Sequence, residues 1–140
     1  MRRHAGMTYT PDGDILVMAN GGKAYRSSDH GTSWSKATTA RFNSGCLSLL
    51  THGNTLWGFD RVSACSGDNA LGSRRSTDNG ESWDDPLCLQ EYPGKTGDAN
   101  HIDGFVDGTV LNIVFYWNGT ESADQRIQFK RYELNGGGGL

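Results

Sequence analysis

The sequence predicts an all-β chain assembled from repeated four-stranded antiparallel units, and three observations carry that reading. The first is an octet written twice. Ser27-Ser28-Asp29-His30-Gly31-Thr32-Ser33-Trp34 returns as Ser76-Thr77-Asp78-Asn79-Gly80-Glu81-Ser82-Trp83, both of the form S-x-D-x-G-x-S-W. The offset between equivalent residues is constant, 78 − 29 = 83 − 34 = 49, and a period of roughly 20–50 residues marks solenoids, propellers and arrays. The second observation is the punctuation of short apolar or alternating runs by Gly-, Asn- and Asp-rich turns. The third is composition: 20 glycines in 140 residues, with 10% aromatic and 21% charged residues, suits a turn-rich all-β protein.

In chain order, residues 7–10 (Met-Thr-Tyr-Thr) are expected to form a strand ended by the turn Pro11-Asp12-Gly13-Asp14. Ile15–Ala19 is wholly apolar, as in a strand covered on both faces. Asn20-Gly21-Gly22 turns the chain into a strand over Lys23–Ser27, the first octet follows, and Trp34–Thr38 is the fourth strand. The second unit repeats the order: Cys46–Thr51, the turn His52-Gly53-Asn54, Thr55–Phe59, then Ala70–Ser76, the second octet, and a strand begun by Trp83. Between its second and third strands stands a ten-residue insertion, 60–69, where the first unit has three residues. An insertion that a sibling repeat lacks is a candidate binding element.

The third unit begins near Ala99-Asn100-His101-Ile102, turns at Asp107-Gly108, and contains the most apolar strand of the chain, Thr109–Trp117. In Arg126–Leu134 the apolar residues alternate at Ile127 and Phe129, then slip one place to Tyr132 and Leu134, which suggests a bulge or an early strand end. The chain runs on into Asn135-Gly136-Gly137-Gly138-Gly139-Leu140 without a third octet.

Each residue of the octet has a mechanical task. Asp and Ser side chains bond to their own nearby backbone and tighten a turn. Gly31 and Gly80 supply positive φ without steric cost. Trp34 and Trp83 offer a broad apolar face at the start of the next strand. Both octets follow an arginine, Arg26 and Arg75.

The octet resembles the Asp-box, or BNR repeat, S/T-x-D-x-G-x-T/S-W. Within that family the motif joins the third and fourth strands of a β-propeller blade in sialidases, other glycosidases, sortilin-type receptors and photosynthetic assembly factors. The resemblance implies a partial β-propeller with about three blades of four-stranded antiparallel sheet. Blade 1 covers about 7–40, blade 2 about 41–92 and an incomplete blade 3 about 98–135, with 136–140 a Gly-rich tail. It assigns a structural role to Ser27, Asp29, Gly31, Trp34, Ser76, Asp78, Gly80 and Trp83. Closed propellers have about four to eight blades. The chain is therefore expected to be a fragment of a longer protein that supplies the missing blades. The alternative is a homo-oligomer that completes the propeller, two three-blade halves giving the six blades usual in sialidases.

Around the second unit the likeness extends to sialidases. Arg41-Phe42-Asn43-Ser44 stands where the family has an R-I-P-type strand, and Leu56–Arg61 resembles its L-x-x-F-A-E-x-R strand. Ser66-Gly67-Asp68-Asn69 falls in the loop that carries the acid/base aspartate. The resemblance makes Asp68 the candidate catalytic acid/base, with Arg41, Arg61 and the rival match Arg3 as candidate substrate-binding residues. A planar guanidinium binds a sugar carboxylate bidentately, and a carboxyl of tuned pKa can exchange a proton with a glycosidic oxygen. The sequence departs from the family at Asn43, where a proline is usual, and at Asp60, where a glutamate is usual. The further arginines and the tyrosine–glutamate nucleophile pair have no match, so the isolated chain is not expected to run the reaction. The plain alternatives are a solvated strand-end arginine at Arg41 and a loop residue at Asp68.

The expected parent is thus a sialidase-like glycoside hydrolase acting on (sialo)glycans. The alternative is a non-catalytic BNR-repeat module that binds glycan or protein, with Trp57 and Trp117 as platforms or, more plainly, as inter-blade packing. The expected partner is a glycan or glycoconjugate, with no nucleic acid, no membrane, no metal and no cofactor. A net charge of −3 offers no clustered basic face, no apolar run approaches ~20 residues, and the four histidines pair with no Cys or carboxylate at metal spacing. The Asp-Gly turns at 12–14 and 103–108 supply too few oxygens for calcium. No apolar segment follows Met1–Ala5 to make a secretory signal, and a secreted location follows only if the parent carries one. The three cysteines read either as small buried apolar residues or as one disulfide plus a thiol. Asn118-Gly119-Thr120 fits a glycosylation acceptor or simply an Asn-Gly turn.

Overall fold

The computed structural model describes residues 5–19, 23–37, 48–62, 70–90, 97–119 and 126–134, which form strands and turns only. The strands are β1 (Ala5–Tyr9), β2 (Ile15–Ala19), β3 (Lys23–Ser27), β4 (Ser35–Ala37), β5 (Ser48–His52), β6 (Thr55–Val62), β7 (Ala70–Ser76), β8 (Leu87–Gln90), β9 (Gly97–Asp107), β10 (Val110–Gly119) and β11 (Arg126–Glu133). They make three antiparallel meanders, β1-β2-β3-β4, β5-β6-β7-β8 and β9-β10-β11, in sequence order. The chain is all-β, and the expected strands over 15–19, 23–27 and 70–76 fall on the expected residues.

The second sheet sits between the other two, and its middle strand shows why. Residues 55–60 of β6 are buried without interruption, because alternate side chains serve opposite faces of the sheet. Leu56 joins a cluster with Leu16, Met18, Ala24 and Leu49, which ties the first sheet to the second. Trp57 and Phe59 join Ile113, Phe115 and Trp117 in the larger cluster that ties the second to the third. Each side chain of this size contributes about 1.5–3 kcal/mol on full burial. Trp57 is 2% exposed and Trp117 0%, so both are packing residues between sheets and the platform alternative fails for them.

Several boundaries differ from expectation for local reasons. β6 runs on to Val62, pairing Asp60 with Gly72 and Val62 with Ala70, so residues 60–62 belong to a strand and not to the insertion. Trp83 does not begin a strand: β8 starts at Leu87, since Asp84 N–H first donates to the Arg75 carbonyl (2.8 Å). β11 pairs with β10 without a break from Val110–Glu133 to Trp117–Arg126, so the expected bulge in β11 is absent. Ile127 and Phe129 instead lie on the face opposite Tyr132 and Leu134. The irregularity falls on β9: between the pairs Val114–Asp103 and Tyr116–Asn100, β10 advances two residues (116 − 114) and β9 three (103 − 100). Asn118-Gly119 closes β10 rather than making a turn. Cys88 is disulfide-bonded, which replaces the reading of three small buried thiols; Cys46 and Cys65 lie outside the described residues.

Candidate functional site

The two octets are nearly superposable in their bonding. In the first, Ser27 Oγ donates to Asp29 Oδ1 (2.8 Å) and accepts from Gly31 N–H (2.8 Å). Asp29 Oδ1 accepts from Ser33 N–H (2.8 Å), Oδ2 accepts from Ser33 Oγ (2.5 Å), and Trp34 Nε1 donates to the Gly31 carbonyl (3.0 Å). In the second, Ser76 Oγ meets Asp78 at 2.8 Å and Gly80 N–H at 2.9 Å, Ser82 caps Asp78 through both N–H and Oγ, and Trp83 Nε1 reaches the Gly80 carbonyl at 3.1 Å. His30 and Asn79 take φ of 56° and 60°, ahead of Gly31 and Gly80 at 89° and 84°. The left-handed region thus covers two positions of the motif, the first of which asparagine and histidine tolerate better than most residues.

These bonds set the electrostatics of the turns. Donation by the Ser33 hydroxyl, the Ser33 N–H and the Ser27 hydroxyl holds Asp29 at about 2. At Asp78 burial pushes the carboxyl up, but the bonds from Ser82 and Ser76 outweigh it and leave the group below the usual carboxylate range. Both aspartates are consumed in holding the turn and are not poised for proton transfer at neutral pH.

The octets also dock the first two sheets. Arg26 donates to the Asn79 carbonyl of the second octet and pairs with Asp14 at 3.2 Å and Asp12 at 3.8 Å. Gly80 lies against Leu16 of the first sheet: a Cβ there would stand 2.7 Å from Leu16 Cδ2. Arg75 occupies the equivalent place but bonds within its own sheet, to Asp84 Oδ2 at 2.9 Å. On the adjoining strands Thr51 Oγ1 meets Thr8 Oγ1 (2.9 Å) and the Tyr9 carbonyl. The role of Arg26 was signalled by the arginine that precedes each octet; its target in the next sheet was not.

This closely bonded end carries the octets and the tight turns at 10–14 and 53–54. At the opposite end antiparallel pairing places Asp60, Arg61 and Val62 of β6 against Gly72, Leu71 and Ala70. Asp60, 3% exposed, is the one charged residue in the core among the described residues, and its burial had no sequence signal beyond the apolar run that precedes it. Arg61 is placed by its backbone in β6. Arg3, Arg41 and Asp68 lie outside the described residues. No group of three or more His, Cys, Asp or Glu residues suited to a metal ion occurs among the described residues.

No protein-family model matches the chain, and no curated protein matches it. Solved structures do. An α-L-arabinanase of Penicillium chrysogenum complexed with arabinobiose shares 16% identity, with a TM-score of 0.66 over 94% of this chain and 46% of that one. An α-L-arabinofuranosidase mutant of Fusarium graminearum bound to an iminosugar inhibitor shares 13%, with a TM-score of 0.67 over 91% of this chain and 44% of that one. The GH93 α-L-arabinofuranosidase of the same fungus in complex with arabinobiose gives 13%, 0.64, 93% and 45%. The chain spans less than half the length of these proteins. Like them it is a β-propeller, here a partial one, and each of its sheets is a blade.

Proposed function

We propose that the chain contributes early blades to a glycoside hydrolase-type propeller, with the octets as Asp-boxes that fasten the blades and glycan bound at the end opposite them. The observation that carries this reading is the polarity of the second blade. Its octet is spent on structure, and its other end carries the buried Asp60. The arabinobiose and iminosugar complexes of the similar propellers support a sugar as ligand. In this reading Asp68 is the acid/base, with Arg61, Arg41 and Arg3 as sugar-binding residues. An α-L-arabinoside is the first substrate class and a sialoside, whose carboxylate the arginines suit, the second.

Ligand-observed NMR with arabinobiose and with sialyllactose tests the reading. The expected result is saturable binding of one of the two sugars, weakened at least tenfold by Arg61→Ala and left intact by Asp29→Asn. No binding of either sugar at millimolar concentration overturns it. Should the protein hydrolyse the sugar it binds, Asp68→Asn is expected to abolish turnover while leaving the affinity within a few-fold, because it removes the titrating proton and retains the shape.

A further inference from the structure

Turn positions that need positive φ favour asparagine and glycine, and the second octet uses them in succession, Asn79 at 60° and Gly80 at 84°. The pair is chemically labile as well as conformationally apt. Glycine sets no side chain in the way of its own nitrogen, so the Gly80 nitrogen can attack the side-chain amide of Asn79. The nitrogen gives up its proton, its bond to Cγ forms, the bond from Cγ to Nδ2 breaks, and ammonia leaves with the proton. Water opens the resulting succinimide ring at either carbonyl. The product is aspartate, or isoaspartate with the main chain rerouted through the β-carbon.

In the folded chain the peptide unit between Asn79 and Gly80 is held at both ends. Its N–H donates to Ser76 Oγ at 2.9 Å in a buried bond, and Ser76 Oγ is itself fixed by donating to Asp78 Oδ1 at 2.8 Å. Its carbonyl accepts from Arg26 of the first blade. Attack needs the proton that faces Ser76 to leave and the peptide plane to turn toward Cγ. Gly80 has little room to turn, since even a Cβ there would stand 2.7 Å from Leu16 Cδ2. The guanidinium on the carbonyl pulls the other way, because a cation favours the deprotonated amide. That help is idle while the nitrogen points at Ser76 Oγ: position comes before acidity in a bond-forming step.

We propose that Asn79 is a latent modification site, unreactive while the octet is closed and converted to aspartate or isoaspartate once it opens. The octet needs residues that tolerate the left-handed region, and its serine bond suppresses the reactivity that an Asn-Gly pair brings. The first octet has the same bond, Gly31 N–H to Ser27 Oγ at 2.8 Å. There His30 takes the place of Asn79 at φ 56° and offers no amide to attack. Conversion at Asn79 therefore records the opening of one turn. Isoaspartate adds a carbon to the main chain between Asp78 and Gly80, which displaces the N–H that Ser76 holds from the carbonyl that Arg26 holds, so the mark outlasts the opening.

Peptide mapping by mass spectrometry of the 140-residue chain, held in mildly alkaline buffer and sampled over time, tests this. Conversion at Asn79 is expected to be at least about tenfold slower in the folded chain than in the same chain in urea, because the reaction must wait for the turn to open. Equal rates overturn the proposal. Ser76→Ala, which takes the acceptor from the Gly80 N–H, is expected to raise the folded-state rate at least about tenfold while circular dichroism shows the sheets intact. A folded variant with an unchanged rate removes Ser76 as the lock and overturns the proposal. His30→Asn keeps it falsifiable should Ser76→Ala misfold, since the position is exposed and asparagine tolerates its φ. It sets an Asn-Gly pair over the Ser27 bond, and conversion there is expected to be slowed as at Asn79. Conversion at position 30 of the folded variant at the rate found in urea refutes the serine bond as the cause.

Discussion

Alanine at the two octet glycines separates what the turn requires from what the neighbouring blade requires. Gly31 and Gly80 hold the same motif position with φ of 89° and 84°, so a Cβ brings the same left-handed penalty at each, about 1–2 kcal/mol. The reduced freedom of the unfolded chain returns about 0.4–1 kcal/mol, leaving a net loss near 1 kcal/mol. At Gly31 nothing more follows, since the new Cβ meets only Trp34 at 3.7 Å. At Gly80 it meets Leu16 Cδ2 at 2.7 Å and Leu56 Cδ2 at 3.6 Å. Both leucines are fully buried and cannot swing into solvent, so overpacking adds about 1–3 kcal/mol. Gly80→Ala is expected to cost about 2–4 kcal/mol against about 1 for Gly31→Ala, read as urea midpoints by tryptophan fluorescence at constant m. In a Leu16→Ala background, which removes the opposing methyl, the cost of Gly80→Ala is expected to fall to that of Gly31→Ala. Equal costs at the two glycines, or no coupling to Leu16, would refute the account of Gly80 as a contact between blades.

Two further outcomes rest on the same turns. Asp29 is held at about 2 in the folded chain against an ordinary 3.8; a depressed folded pKa stabilises above the unfolded value and is lost as pH falls toward the folded one. The gap in urea midpoint between wild type and Asp29→Asn is therefore expected to be constant from pH 7 to about 4 and to shrink from pH 4 to 2, and a gap flat down to pH 2 contradicts the assignment. Arg26→Met, which strips a half-buried guanidinium from Asp14 and from the Asn79 carbonyl, is expected to cost about 1–3 kcal/mol. Arg75→Met, which loses an exposed pair with Asp84, is expected to cost less than about 1 kcal/mol; equal losses by chemical denaturation would show that the link between blades contributes nothing.

What the sequence made legible was local. The octet is a closed hydrogen-bonded unit in which Ser27, Asp29, Gly31 and Ser33 satisfy one another, so its eight residues announce the turn wherever it stands, and the strands on either side follow. Arg26 was visible as a repeated residue, but its bond into the next blade, made in addition to the ion pair with Asp14 of its own blade, depended on a neighbour 53 residues away. The candidate chemistry was least legible: Asp68 and Arg41 lie outside the described residues, and Asp60 reads as one polar residue at the end of an apolar run.

The misreading of β11 leads furthest. Ile127 and Phe129 followed by Tyr132 and Leu134 resemble a strand that slips by one residue, because a period of two identifies the buried face only when one face is buried. The pairing with β10 is unbroken, so the change of parity has another cause: β11 is apolar toward the second blade near Tyr132 and Leu134, and apolar away from it near Ile127 and Phe129. β6 has the same character, with Leu56 serving one neighbour and Trp57 and Phe59 the other. In β6 both faces have found their partners. A strand with apolar residues on both faces is one suited to cover on both. The slip in the apolar pattern is thus a change of buried face along an unbroken strand.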